Sequence, residues 1–362
     1  MDSCSSVYDP AKDPGNAYGL PALRSGSICA SMNFSKVELV SQTGYNWADS
    51  WMMSWGADGK TYTNFSDGMF IEDSEPRPKY SNAILTIDAD PPSLPATAFV
   101  RVSADPLTAN ASWAHYIIST LVVGNTLYVG MVDFSGNGGI ARSDDLGKTL
   151  TYDRANPMWR NGPKPFVYPS FLQNGKGYSG NKDGFVYVYG SDGEWGSCSG
   201  KNNTLRLARA PIGSDLLKVG NYNYYDGQSW APDITRAANV LADGSNLGGM
   251  QSIVYNPVSG RYFLITFGEA CSANARMVVY DAPAPWGPWS RCGIVLKNAA
   301  VYTTASLATA VYNPSFNAKW IDAADGGMWI SYSSMLGTNE HWPSDYAFNL
   351  GRVSITPRAS CP

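Results

Sequence analysis

An aromatic-rich run recurs five times along the chain, each time behind a turn signal. "TYTNFSD" around Tyr62 follows "GADGK", "LYVGMVD" around Tyr128 follows "VVGN", "VYVYGSD" around Tyr187 follows "NKDG", "YFLITFG" around Tyr262 follows "NPVSG", and "MWISYSS" around Trp329 follows "AADGG". Aromatic and β-branched residues next to such a turn mark a β-hairpin. The copies stand 66, 59, 75 and 67 residues apart, room for about four short strands and their turns. Candidate third and fourth strands follow the hairpins, among them "TLRLARAPI", "ARMVVYDAP" and "GPWSRCGIVL".

Units of this length bury their faces by packing on one another, and radial repetition also removes exposed sheet edges. The expected fold is therefore all-β: a five-bladed β-propeller of four-stranded antiparallel blades, with residues 1–362 forming a single domain. Blades are expected at about 45–112, 113–165, 166–242, 243–300 and 301–357, with 1–44 as a lead-in and closing segment. "NFSKVELVSQ" and "YAFNLGRVSI" both alternate apolar and polar residues, and one of them is expected to close the ring. Composition agrees, with 36 Gly, 23 Pro and 22 Tyr but only 15% charged residues, a balance that favours strands and tight turns over helices. The competing reading is two β-domains divided near residue 240, at "RAANVLADGSN". In the second unit, "SDDLGKTL" resembles the Asp-box turn of sialidase-like propellers, with Leu150 in the Trp place, and marks architecture rather than catalysis.

The net charge is −4 and no Lys/Arg cluster occurs, so neither nucleic acid nor an anionic membrane is expected as a partner. No apolar run reaches the length of a membrane span, and "MDSCSSVYDP" shows no secretory leader. Six cysteines at 4, 29, 198, 271, 292 and 361, without any CxxC, suit disulfides in an oxidising compartment better than a zinc site. Asn-x-Ser/Thr sequons at Asn33, Asn64, Asn110 and Asn202 agree with that compartment. A secreted, extracellular monomer is expected, with no cofactor. An axial metal ion is left open, because no EF-hand loop or comparable ligand motif is present.

Repeat geometry sorts the acids. In an antiparallel hairpin the start of the first strand and the end of the second lie on one rim, and the turn lies on the other. Asp49 and His115 each precede their aromatic by thirteen residues, while Asp67, Asp133 and Asp192 each follow theirs by five. Glu269 and His341 fall on the same rim, whereas Asp58, Asp183 and Asp325 fall on the turn rim. Asp49 and His115, at starts of first strands, are expected closest to a central pocket. Asp67, Asp133 and Asp192 have the plainer alternative of capping turn amides. His115 has that of a structural histidine, His341 that of a loop residue, and Glu269, beside Cys271, that of a solvated or disulfide-flanking acid. Trp47, Trp51, Tyr116 and Tyr168 lie at or near first-strand starts and are expected to stack on sugar rings, with core packing as the alternative; for Trp55 the core is preferred.

The runs "GGMQSIVYNPVSGRYFLITFG", "MVVYDAPAPWGPWS", "VYVYG" and "LRLARAP" resemble those of secreted five-bladed β-propeller glycoside hydrolases. That group includes arabinanases, arabinofuranosidases and the DUF4185-like set with its endo-D-arabinanases. The resemblance covers most of residues 45–355. It implies hydrolysis of a polysaccharide or oligosaccharide, arabinan-like or another cell-wall glycan, in an axial pocket where carboxylates from different blades act. One carboxyl must be protonated and another ionised at the same pH. By this resemblance Asp49 is the base or nucleophile, Asp133 or Glu269 the acid, and Asp67 the third carboxylate. The chain departs from the arabinanase pattern in lacking His-Asp-Pro in the first blade and in offering His115 in the second. The alternatives are a lyase acting on a uronic-acid polymer with His115 or a Tyr as base, against which the acidic rim counts, and a non-catalytic carbohydrate-binding propeller.

Overall fold

The chain is all-β in a computed structural model that describes residues 32–46, 48–107, 113–193, 204–242, 247, 250–268, 276–297, 311–334 and 347–357. After an N-terminal strand β1 (Met32–Asn46), a first sheet runs β2 (Met53–Trp55), β3 (Thr61–Gly68), β4 (Tyr80–Ile87) and β5 (Phe99–Ala104), all antiparallel. The second is β6 (Tyr116–Val123), β7 (Thr126–Val132) and β8 (Gly138–Ser143). The third is β9 (Val167–Gln173), β10 (Phe185–Ser191) and β11 (Thr204–Pro211), followed by β12 (Asn223–Tyr225), β13 (Trp230–Ala231) and β14 (Asn239–Ala242). The fourth is β15 (Ser252–Asn256), β16 (Arg261–Gly268), β17 (Arg276–Ala282) and β18 (Ser290–Lys297). The last is β19 (Val311–Ile321), β20 (Met328–Ser334) and β21 (Ala347–Pro357), with β1 pairing on the outer side of β21. Both terminal segments thus enter one sheet, where the sequence suggested that one of them closes the structure.

Strands that are apolar on both faces need a cover on each side, and the buried clusters fall between successive sheets. Tyr62 and Ile84 pack with Ile117 and Leu127 between the first and second sheets. Leu121 and Tyr128 meet Phe166 and Phe171 between the second and third. Tyr187 and Leu207 meet Ile253 and Leu264 between the third and fourth, and Phe263 and Val279 meet Phe316 and Ile330 between the fourth and fifth. Trp51, Phe65 and Phe99 join Trp320 and Phe348, which brings the last sheet against the first.

First strands of neighbouring sheets are tied by small hydroxyl side chains, which let backbones come close where the strands converge. Thr120 Oγ1 donates to the Met52 carbonyl (2.8 Å) and the Val122 N–H to Ser54 Oγ (2.9 Å). Ser119 Oγ donates to the Pro169 carbonyl (2.5 Å), and β9 pairs in parallel with β15. The Phe316 N–H donates to Ser252 Oγ (2.9 Å) and the Met53 N–H to Ser315 Oγ (3.1 Å). Gly130 is needed at one such approach, because a Cβ there would overlap the Pro169 carbonyl and Ser119 Oγ.

Four strands per unit is only partly met. In the second sheet the fourth strand is reduced to isolated bridges from Gly138 to Trp159 and from Arg142 to Thr151. The intervening segment is taken up by a turn in which Asp153 Oδ1 accepts from the Ala155 and Asn156 amides, and Pro157 has no N–H for a ladder. The third sheet departs in the other direction, since β11 pairs with both β12 and β14 along different halves of its edge.

The turn residues behave as the repeat suggests. Tyr62 donates to Asp58 Oδ2 (2.8 Å) and Tyr187 to Asp183 Oδ2 (2.6 Å), each acid four residues before its aromatic. In the Asp-box-like turn, Asp145 accepts from Ser143 Oγ (2.6 Å) and from the amide and hydroxyl of Thr149 (2.9 and 2.7 Å). These bonds, led by Ser143, hold the Asp145 carboxyl down at about 2. One sequon is corrected: Asn64 is fully buried, so its side chain is closed to a glycan. Cys292 lies within the described residues and the other five cysteines outside them, so the disulfide pattern falls outside as well.

Candidate active site

Asp49 stands just before β2 and is held in place from two sheets. Its backbone pairs with Ser66 across the hairpin (N–H to carbonyl 3.1 Å, and 2.8 Å in return). The next residue, Ser50, is buried and has left-handed backbone geometry (φ 63°), a conformation that costs a non-glycine residue about 1–3 kcal/mol. Four hydrogen bonds that involve side chains hold it there, beside one from the Met52 N–H to its carbonyl (2.9 Å). The Ser50 N–H donates to Ser333 Oγ (3.2 Å), its carbonyl accepts from Asn64 Nδ2 (2.7 Å), and its Oγ accepts from Asn313 Nδ2 (2.8 Å) while donating to Asp49 Oδ1 (2.9 Å). The Asp49 carboxylate is thus oriented by a chain that begins on β19.

Asp67, at the end of β3, is also left-handed (φ 49°), which breaks the strand's alternation of side chains. Its Oδ2 accepts from the Tyr116 hydroxyl (3.0 Å), and its Oδ1 lies 3.5 Å from Lys79 Nζ. Burial raises the Tyr116 phenol well above its ordinary range, and the negative charges of Asp67 and Asp49 push it further. Tyr116 therefore stays protonated and lies in the field of both acids. Beneath it Met52, Ile118, Val132, Val167, Tyr168 and Met250 form an apolar floor. Such a floor strengthens electrostatic interactions above it.

His115 packs edge-on against Tyr116 (ring centroids 4.3 Å) and tilted against Phe134 (4.0 Å). Asn82 on β4 fixes its backbone, with Nδ2 donating to the His115 carbonyl (2.7 Å) and Oδ1 accepting from the Ile117 N–H (2.7 Å). Burial lowers the imidazole pKa, with Asp67 and Asp133 opposing that shift without reversing it. At neutral pH the ring is neutral. Because the unfolded chain then binds more protons than the folded one just below the unperturbed value of about 6.5, stability lost to this group appears as pH falls through that value. The melting temperature of the wild type is expected to climb as pH rises from about 5 to above 6.5, and His115→Gln should flatten that part of the curve; an unchanged slope would mean that other groups produce it.

Asp133 belongs to the rim but serves its own loop. Oδ1 accepts from the Ser135 N–H (2.9 Å) and the Asn137 N–H (2.8 Å), and Oδ2 from Asn137 Nδ2 (2.7 Å). All three donors belong to the segment that Asp133 itself begins, so it takes the plainer of its two expected roles, capping turn amides. Asp192 is likewise engaged with its hairpin, accepting from the Thr204 N–H (3.0 Å).

Asp49, Asp67, His115 and Tyr116 are thus brought to one rim, with Asp133 beside them. Trp51 is corrected to core: it is fully buried, with edge-on contacts to Phe65, Phe99 and Phe348. Its neighbours Met52 and Met53 are also buried, because β2 is covered on both faces. Tyr168 is buried in the floor (φ 54°) and offers no open face to a sugar, which withdraws it as a stacking residue. Trp47, Glu269 and His341 lie outside the described residues. Sequence reasoning missed Ser50, Asn64, Asn82 and Phe134. Phe134 alone carries a sequence signal, an aromatic residue directly after a repeat acid. Among the described residues there is no group of three or more His, Cys, Asp or Glu poised to hold a metal. A groove of about 630 Å³ lined by Tyr128, Arg142, Tyr178, Ile212 and Asp215 lies where β6 ends, on the rim away from these acids.

A family model described as a domain of unknown function, DUF4185, matches residues 40–318. No curated protein matches the chain. Among solved structures, a GH43_1 enzyme from Xanthomonas citri superposes with a TM-score of 0.52 at 13% identity, over 88% of this chain and 89% of its own. The catalytic domain of a GH62 α-L-arabinofuranosidase from Coprinopsis cinerea superposes with 0.50 at 11% identity, over 87% and 93%. A GH62 hydrolase in complex with xylotriose gives 0.50 at 11% identity, over 93% and 95%. These neighbours are five-bladed β-propellers, and at such identities the likeness is one of fold.

Proposed function

The chain belongs to the DUF4185 family, and from that premise we propose that it is a five-bladed propeller glycoside hydrolase acting on an arabinan-, arabinoxylan- or other cell-wall glycan. The observation that carries this reading is the pair of acids, Asp49 and Asp67, set around the protonated hydroxyl of Tyr116 above an apolar floor. Asp49 is assigned as base or nucleophile, oriented by Ser50, and Asp67 as the third carboxylate, bonded by the Tyr116 hydroxyl and facing Lys79. Of the two acids named as proton donor, Asp133 is engaged in its loop, so the donor is assigned to Glu269. The radial arrangement is supported by the cluster between the last sheet and the first and by the hydroxyl ties between first strands. Export from the cell remains part of the proposal on the cysteine count, with Asn64 removed from its support.

The lyase reading is weaker here. Of its two candidate bases Tyr116 is held protonated, whereas neutral His115 keeps a lone pair for the task, so the substrate charge counts against this reading more than the base does. A uronate needs a positive partner, and Lys79 already faces Asp67. The test is a panel of plant, fungal and bacterial cell-wall glycans with product analysis. New reducing ends from a furanoside-bearing glycan are expected. An unsaturated, ultraviolet-absorbing product would replace hydrolysis by elimination, and binding without any product would leave a carbohydrate-binding propeller.

A further inference from the structure

Among the described residues, Phe134 is the one large apolar side chain on this rim that stands open, with 54% of its surface exposed. It follows Asp133 in the tight segment after β7. An exposed phenylalanine on a loose loop would turn with the loop, but this segment is fastened on both sides. Asp133 closes it from within through the Ser135 and Asn137 amides and the Asn137 side chain. Across the gap the Asn161 N–H donates to Asn137 Oδ1 (3.0 Å) and Asn161 Nδ2 to the Ser135 carbonyl (3.0 Å). Underneath, the ring rests on His115 at 4.0 Å and meets Tyr116 edge-on at 5.8 Å. His115 is itself fixed by Asn82. The consequence is a rigid apolar ring, supported from below and open above, next to the Tyr116 hydroxyl that bonds Asp67.

A sugar ring presents C–H groups on one face and hydroxyls at its edge, so it gains by laying that face on an aromatic ring while its edge meets polar groups. A platform fixed before binding loses little rotational freedom when it is occupied. We propose that Phe134, backed by His115, is a stacking subsite for a sugar unit of the substrate chain, and that Asp133 is the positioning residue that holds it. This rests on the glycan reading of the same rim. Asp133 acquires a role through another side chain in place of proton transfer.

The test is calorimetric titration of the full chain with arabino-oligosaccharides, arabinoxylo-oligosaccharides and xylotriose, for the wild type, Phe134→Ala and Phe134→Trp. For whichever probe binds, Phe134→Ala is expected to weaken binding by about tenfold, the scale of a lost aromatic anchor, and Phe134→Trp to retain it. Because the ring is at the surface, both variants should fold. Equal binding by wild type and Phe134→Ala would overturn the platform and leave the hydrolase reading intact; binding of none of the probes, with hydrolysis of none, would overturn both. Asp133→Ala is expected to raise KM by about threefold through lost preorganisation with kcat retained. A fall in kcat of about a hundredfold or more would return Asp133 to acid catalysis and overturn the positioning role.

Discussion

Asp49→Asn is expected to lower kcat on a responsive glycan by about a thousandfold, the range of a removed general base, while the same glycan still binds. The substitution keeps the shape of the side chain, and an amide oxygen still accepts from Ser50 Oγ, so the link to Asn313 survives. What disappears is the negative charge and the lone pair that takes a proton or attacks carbon. Asp67 offers no substitute, since one of its oxygens is engaged by Tyr116 and the other faces Lys79. Reducing-end release and binding measured on the same preparation decide the matter. If Asp49→Asn retains a tenth or more of the wild-type kcat, by the same scale, Asp49 is not the base.

Trp51→Ala is expected to cost about 3–5 kcal/mol of stability, the usual penalty for deleting a fully buried tryptophan. The indole has no exposed surface and stands where the last sheet meets the first. Three aromatic partners surround it at centroid distances of 5.4 to 6.2 Å, and its Nε1 donates to the Ala48 carbonyl (3.3 Å), one residue before Asp49. A void there loosens the seam on which Asp49 is mounted, so activity should fall in step with stability. Urea unfolding of the variant measures the cost. A loss under about 1 kcal/mol together with weakened glycan binding would restore Trp51 as a sugar-stacking residue, against the burial seen here.

Hairpin periodicity was legible because the turn and the aromatic that follows it are local features. Asp58 and Tyr62, or Asp183 and Tyr187, need only four residues to find each other. The offset of the acids from those aromatics also sorted the rims, which is why Asp49, Asp67 and His115 could be named together. The division of Trp51 from Phe134 was not legible. Both are aromatics near a candidate acid, and only the packing of the last sheet against the first buries one, while the Asn137 and Asn161 bonds hold out the other. Asn64 shows the same limit, for its triplet reads as a glycan acceptor while its side chain is spent on the Ser50 and Ile117 carbonyls.

By itself the sequence determined the all-β class and the recurring hairpin with its turn acid, because these follow from strand alternation, turn chemistry and counting. Tertiary structure alone decided what holds each acid in place. Asp133 and Asp49 are equally plain in the sequence, but Asp133 is met by donors from its own loop, whereas Asp49 is turned by a strained Ser50 that Asn313, 263 residues away, holds in place. Contacts across such separations depend on how sheets are seated against one another, and no local pattern of residues records that.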